Sequence, residues 1–169
     1  MHCVRGLIAI VVLFTFTPRA FAIDEAKANS SRLRERGCYL AVIAGCNDCH
    51  TPGYAESGGK VPESQWLTGT LLGWSGPWGT TYAPNLRLYF QNMSADEWVK
   101  TARAMQARPP MPSYAFRIMS EADLRSIYSF VVSLGPAGKP APRYVPPGQK
   151  VSTPVVTFPA PPTTVNFKQ

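Results

Sequence analysis

Five consecutive residues, Cys46-Asn47-Asp48-Cys49-His50, limit what this chain can fold into more than any other feature. Two thiols three positions apart, followed at once by an imidazole, form the C-x-x-C-H pattern of covalent haem attachment. The thiols can add to both vinyl groups of one haem to give thioethers, and the imidazole is then placed as the fifth ligand of the iron. Such a chain must build its core around a large, flat, apolar group. Two other chemistries use similar residues. A redox C-x-x-C pair calls for a strand-helix setting of thioredoxin type, which the flanking sequence lacks. A zinc site could draw on Cys38, Cys46, Cys49 and His50, but adjacent Cys49 and His50 are awkward as two corners of one tetrahedron. The expected cofactor is therefore one covalently bound haem c with its iron.

The chain has 169 residues, 45% hydrophobic and 16% charged, which suits one globular domain with appendages. Its start reads as a secretory leader: Arg5, the apolar run Leu7 to Phe16, the breaker Pro18, then Ala20-Phe21-Ala22. That run is about ten residues long, against the roughly 20 a bilayer requires. Cleavage near Ala22 and a periplasmic location are expected, with no transmembrane segment in the mature chain. Processing would remove His2 and Cys3, leaving His50 as the lone histidine and Cys38 as a third cysteine. Lys and Arg number 17 against 10 Asp and Glu, without the clusters that mark nucleic-acid binding. A mildly basic face is compatible with docking onto an acidic protein partner.

Helical periodicity predicts a first helix over Arg32 to Gly45, with Leu33, Gly37, Leu40, Ala41 and Ala44 on one face, after a polar lead-in from Ile23 to Ser31. Cys38 lies on it in line with Val42 and Cys46, which predicts an inward-facing core thiol. Thr51 to Leu88, rich in Gly, Pro, Trp and Tyr, reads as loops folded over something large. Ser94 is the expected N-cap of a helix to about Ala107, and Ser120 that of a last helix carrying Leu124, Ile127, Tyr128, Val131 and Leu134. Prolines crowd residues 136–169, an extended tail that either wraps the domain or hangs as a linker. The expected divisions are a signal peptide at 1–22, a haem domain at 23–136 and the tail at 137–169.

With no second histidine in the mature chain, the sixth iron ligand falls to Met93, Met105, Met111 or Met119. Met105 lies within a predicted helix, as core. Met93 and Met119 precede the caps Ser94 and Ser120, where apolar residues act as hydrophobic staples. Met111 alone sits in a stiff loop between Pro110 and Pro112, so its thioether can be held against the iron at low entropic cost. Trp66, Trp74, Trp78, Tyr82 and Phe116 are expected either around the haem or in the plain core.

Gly37 to Ala41, Ala44 to Pro52, Tyr82-Ala83-Pro84-Asn85, Met111-Pro112-Ser113-Tyr114 and Ser120 to Leu134 together resemble a class I c-type cytochrome. In style they are similar to the mono-haem cytochrome subunits of bacterial periplasmic dehydrogenases. The resemblance implies an all-α, cytochrome c-like fold around the haem, with the first and last helices crossing near Gly37 and Tyr128. It implies Met111 as distal ligand, agreeing with the elimination above, and Asn85 close to the haem. The sequence departs from that pattern at Cys38 and at Leu86-Arg87-Leu88-Tyr89, which suggests a differently shaped distal face. With both axial positions filled, the iron is an electron carrier and the chain is not itself catalytic. Its partners are then redox proteins, a dehydrogenase subunit, a terminal oxidase or both, free or in a membrane-associated complex. An open distal site would instead make a haem enzyme or a sensor of gas or peroxide.

Overall fold

The computed structural model describes residues 18–159. The apolar run of the expected leader and the last ten residues, 160–169, lie outside the described residues.

The first helix, α1 (Pro18–Ile43), starts well before Arg32. The supposed polar lead-in is helical because Glu25, Ala26, Lys27 and Ala28 are good helix formers, and no interior breaker interrupts them. Pro18 sits at the first position, where its missing N–H costs nothing. Gly37, Leu40 and Ala41 are buried, while Val42 and Ile43 face outward. A short turn leads into α2 (Cys46–His50), which carries Cys46, Cys49 and His50 of the C-x-x-C-H pattern.

α4 (Ala95–Ala104) opens with a capping box: Ser94 Oγ accepts from Glu97 N, and the Glu97 carboxylate accepts from Ser94 N at 2.7 Å. α6 (Glu121–Ser133) is capped by Ser120, whose hydroxyl accepts from Asp123 N. Two single-turn helices flank α4, α3 (Leu86–Tyr89) before it and α5 (Ala115–Ile118) between it and α6. α1 packs across α6, and α4 packs on α6 from the other side, with Trp98 Nε1 donating to Leu124 O at 2.9 Å. Leu40, Leu67, Phe90, Trp98, Leu124, Ile127 and Phe130 form one buried core between them.

The crossing of α1 on α6 lies near Gly37 and Tyr128, as expected, with the closest contacts at Ser126 and Phe130 on either side of that tyrosine. A Cβ at Gly37 would lie 1.9 Å from Ser126 O and 2.6 Å from Phe130 Cβ, so the backbones touch at Ser126. Tyr128 points away, its hydroxyl donating to Met93 O and its ring against Phe90.

The fold is not all-α. β1 (Gly73–Gly76) and β2 (Gly79–Tyr82) form an antiparallel hairpin, and β3 (Val155–Thr157) from the Pro-rich tail adds parallel to β1. The strands are only three or four residues long, too short for alternation to stand out in the sequence. β3 lies at the sheet edge, with prolines at positions 154 and 159 beside it, where a missing donor is tolerated. The tail thus wraps the domain. Val145 exchanges backbone hydrogen bonds with Thr80 at 2.8 and 2.9 Å, and Phe158 packs on Trp74 and Trp78. Gly79 makes this possible: it has φ 94°, and a Cβ there would meet Val145 O at 2.4 Å.

Candidate functional site

α2 is held from behind by a small polar lattice. Thr51 Oγ1 donates to Asn47 Oδ1 at 2.7 Å and accepts from Leu67 N at 2.8 Å, while Gly69 N donates to His50 O. This ties the helix to the Leu67–Gly69 loop and turns Cys46, Cys49 and His50 toward a cavity of about 350 Å3. Its remaining walls are almost wholly apolar, contributed by the β1–β2 hairpin, α3, α4, the Met105–Pro112 stretch, Phe116, Ile127 and Tyr144. A cavity of this size and lining suits an organic cofactor.

His50 is 5% exposed, and its Nδ1 lies 2.8 Å from Pro84 O. A carbonyl oxygen only accepts, so Nδ1 carries the proton and Nε2 keeps the lone pair a metal needs. Burial pushes the imidazole below its ordinary pKa, against the pull of the Pro84 carbonyl, so the ring stays neutral. Burial also pushes the Cys46 thiol up to about 11, and raises that of Cys49, with the Asp48 charge adding to the effect. Among the described residues no cluster of His, Cys, Asp and Glu is arranged to hold a metal ion, which removes the four-ligand zinc alternative. Cys38 points elsewhere: its thiol lies 3.8 Å from Glu63 Oε2, and Glu63 pairs with Arg34 at 2.5 Å. It is half-buried against the core, and the line through Val42 to the cavity fails because Val42 is 42% exposed. Burial, then the Glu63 charge, raises the Cys38 thiol.

Two methionines reach the cavity wall, Met111 and Met105. Met93 and Met119 pack on the core instead, as staples would. Met105 is not in the helix interior as the sequence suggested. α4 ends at Ala104 because its next turn is dismantled by side chains: Ser113 Oγ takes Ala107 N, and Arg117 donates to Met105 O. Of the aromatics, Trp74, Tyr82 and Phe116 line the cavity. Trp66 and Trp78 do not: Trp66 packs edge-on against Tyr54 and Phe130, and Trp78 against Phe158. Trp74, one of the wall residues, has a buried indole N–H with no partner in the protein. The residues present therefore fit the cofactor.

Asn85 is buried behind the site rather than on its wall. Its side chain accepts from Leu88 N as the cap of α3 and donates to Ala137 O and Lys139 O. Arg87, part of the departure from the expected pattern, also faces away from the cavity. It donates to Ser64 O, Leu134 O and Gly135 O, covering the carboxyl end of α6 with a cation. Pro84 and Tyr144 belong to the site; Pro84 stood out only as part of the Tyr82–Asn85 stretch, without its role, and Tyr144 carried no signal. A backbone carbonyl has no residue signature, and Tyr144 arrives from the tail.

The sequence profile of the family described as cytochrome c matches residues 35–135. The fructose dehydrogenase cytochrome subunit of Gluconobacter japonicus is 28% identical over 150 residues, covering 82% of this chain and 29% of that protein. The chain thus spans less than a third of that relative's length. No solved structure matches.

Proposed function

This chain belongs to the cytochrome c family, and from that premise we propose that it carries single electrons on a haem c ligated by His50 and Met111, outside the cytoplasm, between a dehydrogenase and a respiratory acceptor. The cofactor, covalent haem c with its iron, follows from the family. Bound there, the iron supplies the one-electron chemistry. Cys46 and Cys49 tether it, His50 presents Nε2, and the Pro84 carbonyl fixes the tautomer that makes this possible. Met111 supplies a soft thioether, which favours the ferrous state. The apolar walls exclude water and push the same way. The single observation that carries this reading is that one cavity gathers Cys46, Cys49, His50 and Met111.

A dehydrogenase partner is supported by the relative, whose name is that of a dehydrogenase's cytochrome subunit. No helix among the described residues is long and apolar enough to cross a membrane. Export with cleavage near Ala22 rests on the apolar run and the Ala20-Phe21-Ala22 site, and the purified holoprotein should then begin at Ile23. A start at Met1 would remove that part of the proposal.

Optical spectroscopy tests the ligation. Ferric protein should be six-coordinate and low-spin, with the weak long-wavelength band of a Met-ligated haem. Prompt binding of carbon monoxide by the reduced protein, with no such band, would replace the carrier by a haem enzyme or sensor.

A further inference from the structure

The loop that presents Met111 is held mostly by its own turns: Met111 N donates to Arg108 O, and Ser113 N to Met111 O. Two contacts reach it from the hairpin side. Thr81 Oγ1 of β2 donates to Pro109 O at 2.8 Å. The guanidinium carbon of Arg108 stands 3.9 Å from the ring centroid of Tyr144. Among the described residues Arg108 makes no ion pair, so the aromatic face is its anchor.

Tyr144 is itself fixed. Its hydroxyl donates to Trp78 O at 2.7 Å, and its neighbour Val145 is bridged to Thr80. It lies on the cavity wall and comes from outside the stretch, 35–135, that the family profile matches. The tail therefore grips the turn of the β1–β2 hairpin with one end of a tyrosine and the Met111 loop with its face.

We propose that Tyr144 is a positioning residue for the distal haem ligand, clamping the Met111 loop through Arg108 to the hairpin. This rests on the reading of Met111 as that ligand. Removing the clamp leaves only Thr81 holding the loop from the hairpin side, so the loop opens more often and Met111 leaves the iron more readily.

The test uses full-length holoprotein and the variants Tyr144→Leu, Tyr144→Phe and Arg108→Gln. Two quantities are read: hydrogen exchange of the backbone amides of Gln106, Ala107, Arg108 and Met111, and the imidazole concentration that half-displaces the long-wavelength band. Tyr144→Leu and Arg108→Gln should each speed exchange roughly five-fold, and lower the imidazole midpoint by the same factor. The double variant should do no more than either single, because both remove one contact. Tyr144→Phe keeps the ring face over Arg108 but loses the bond to Trp78 O, so it should fall between the parent protein and Tyr144→Leu. Unchanged loop exchange in Tyr144→Leu overturns the proposal. Should that variant fail to accumulate, unchanged exchange in Arg108→Gln, an exposed side chain, overturns it equally. If the parent shows no long-wavelength band yet exchange rises in the variants, the clamp stands and the assignment of Met111 falls.

Discussion

Met111 and Met105 both line the cavity, so two thioethers are candidates for the distal ligand proposed above. Met111 follows Pro110 in a loop tied to the hairpin, whereas Met105 is the residue just past the end of α4, with its carbonyl held by Arg117. Met111→Ala should abolish the long-wavelength ferric band and let azide or carbon monoxide bind, and Met105→Ala should leave the band in place. The reverse pattern in the two spectra would transfer the role. Attachment through Cys46 and Cys49 is checked separately: haem should stay with the protein after denaturation and acidic acetone extraction, and its passage into the organic phase would exclude two thioethers. At this scale the sequence was legible where chemistry is local. A thiol pair with an adjacent imidazole needs no tertiary structure to be recognised, and Met111, expected from its flanking prolines, lines the same cavity. Pro84, Tyr144 and the true place of Asn85 were not legible. Each depends on segments 34 to 54 residues away, or on a tail that shows only its prolines.

Among the elements, the α1–α6 contact is the most sensitive. Gly37→Ala drives a Cβ into the Ser126 carbonyl, so the helices must separate. The cost should be about 2 kcal/mol or more, visible as a lowered denaturation midpoint of the holoprotein. The same pair of helices is joined by Arg36 and Asp123 at 2.9 Å, and the Arg36 hydrogen bond holds the Asp123 carboxyl below its ordinary 3.8. Because the folded value is depressed, this contribution is complete above that ordinary value and disappears as the pH falls through the folded one. Asp123→Asn should therefore narrow the stability difference between neutral and strongly acidic solution, and an unchanged acid profile would show the pair to be idle. Arg87→Met strips three carbonyls of a buried cation and should cost roughly 3 kcal/mol in the same measurement. The caps Ser94 and Ser120 were readable because a cap is decided within four residues. The early start of α1 and the early end of α4 were not. One turns on propensity without amphipathic pattern, and the other on the distant hydroxyl of Ser113.

For the whole molecule, the helical frame followed from the apolar stripes of α1 and α6, while the sheet came as a correction. Strands of three residues gain their stability from what covers them, here Phe158 over Trp74 and Trp78. A chain ending at Pro140 tests the tail as a unit. It keeps the carbonyls that bind Asn85 and Arg87 but loses Tyr144, Val145, β3 and Phe158. It should remain folded with haem attached, yet show a lower reduction potential and faster azide entry, because water then reaches the cofactor. Wild-type values for both would make the tail irrelevant to the chamber. The order of the walls along the chain has a temporal consequence. Every other residue of the chamber, from Cys46 to Ile127, precedes Tyr144, so a chain emerging from its N-terminus presents its two thiols in a vessel still open on one side. Until that last segment is made, the chamber lacks the wall that Tyr144 supplies.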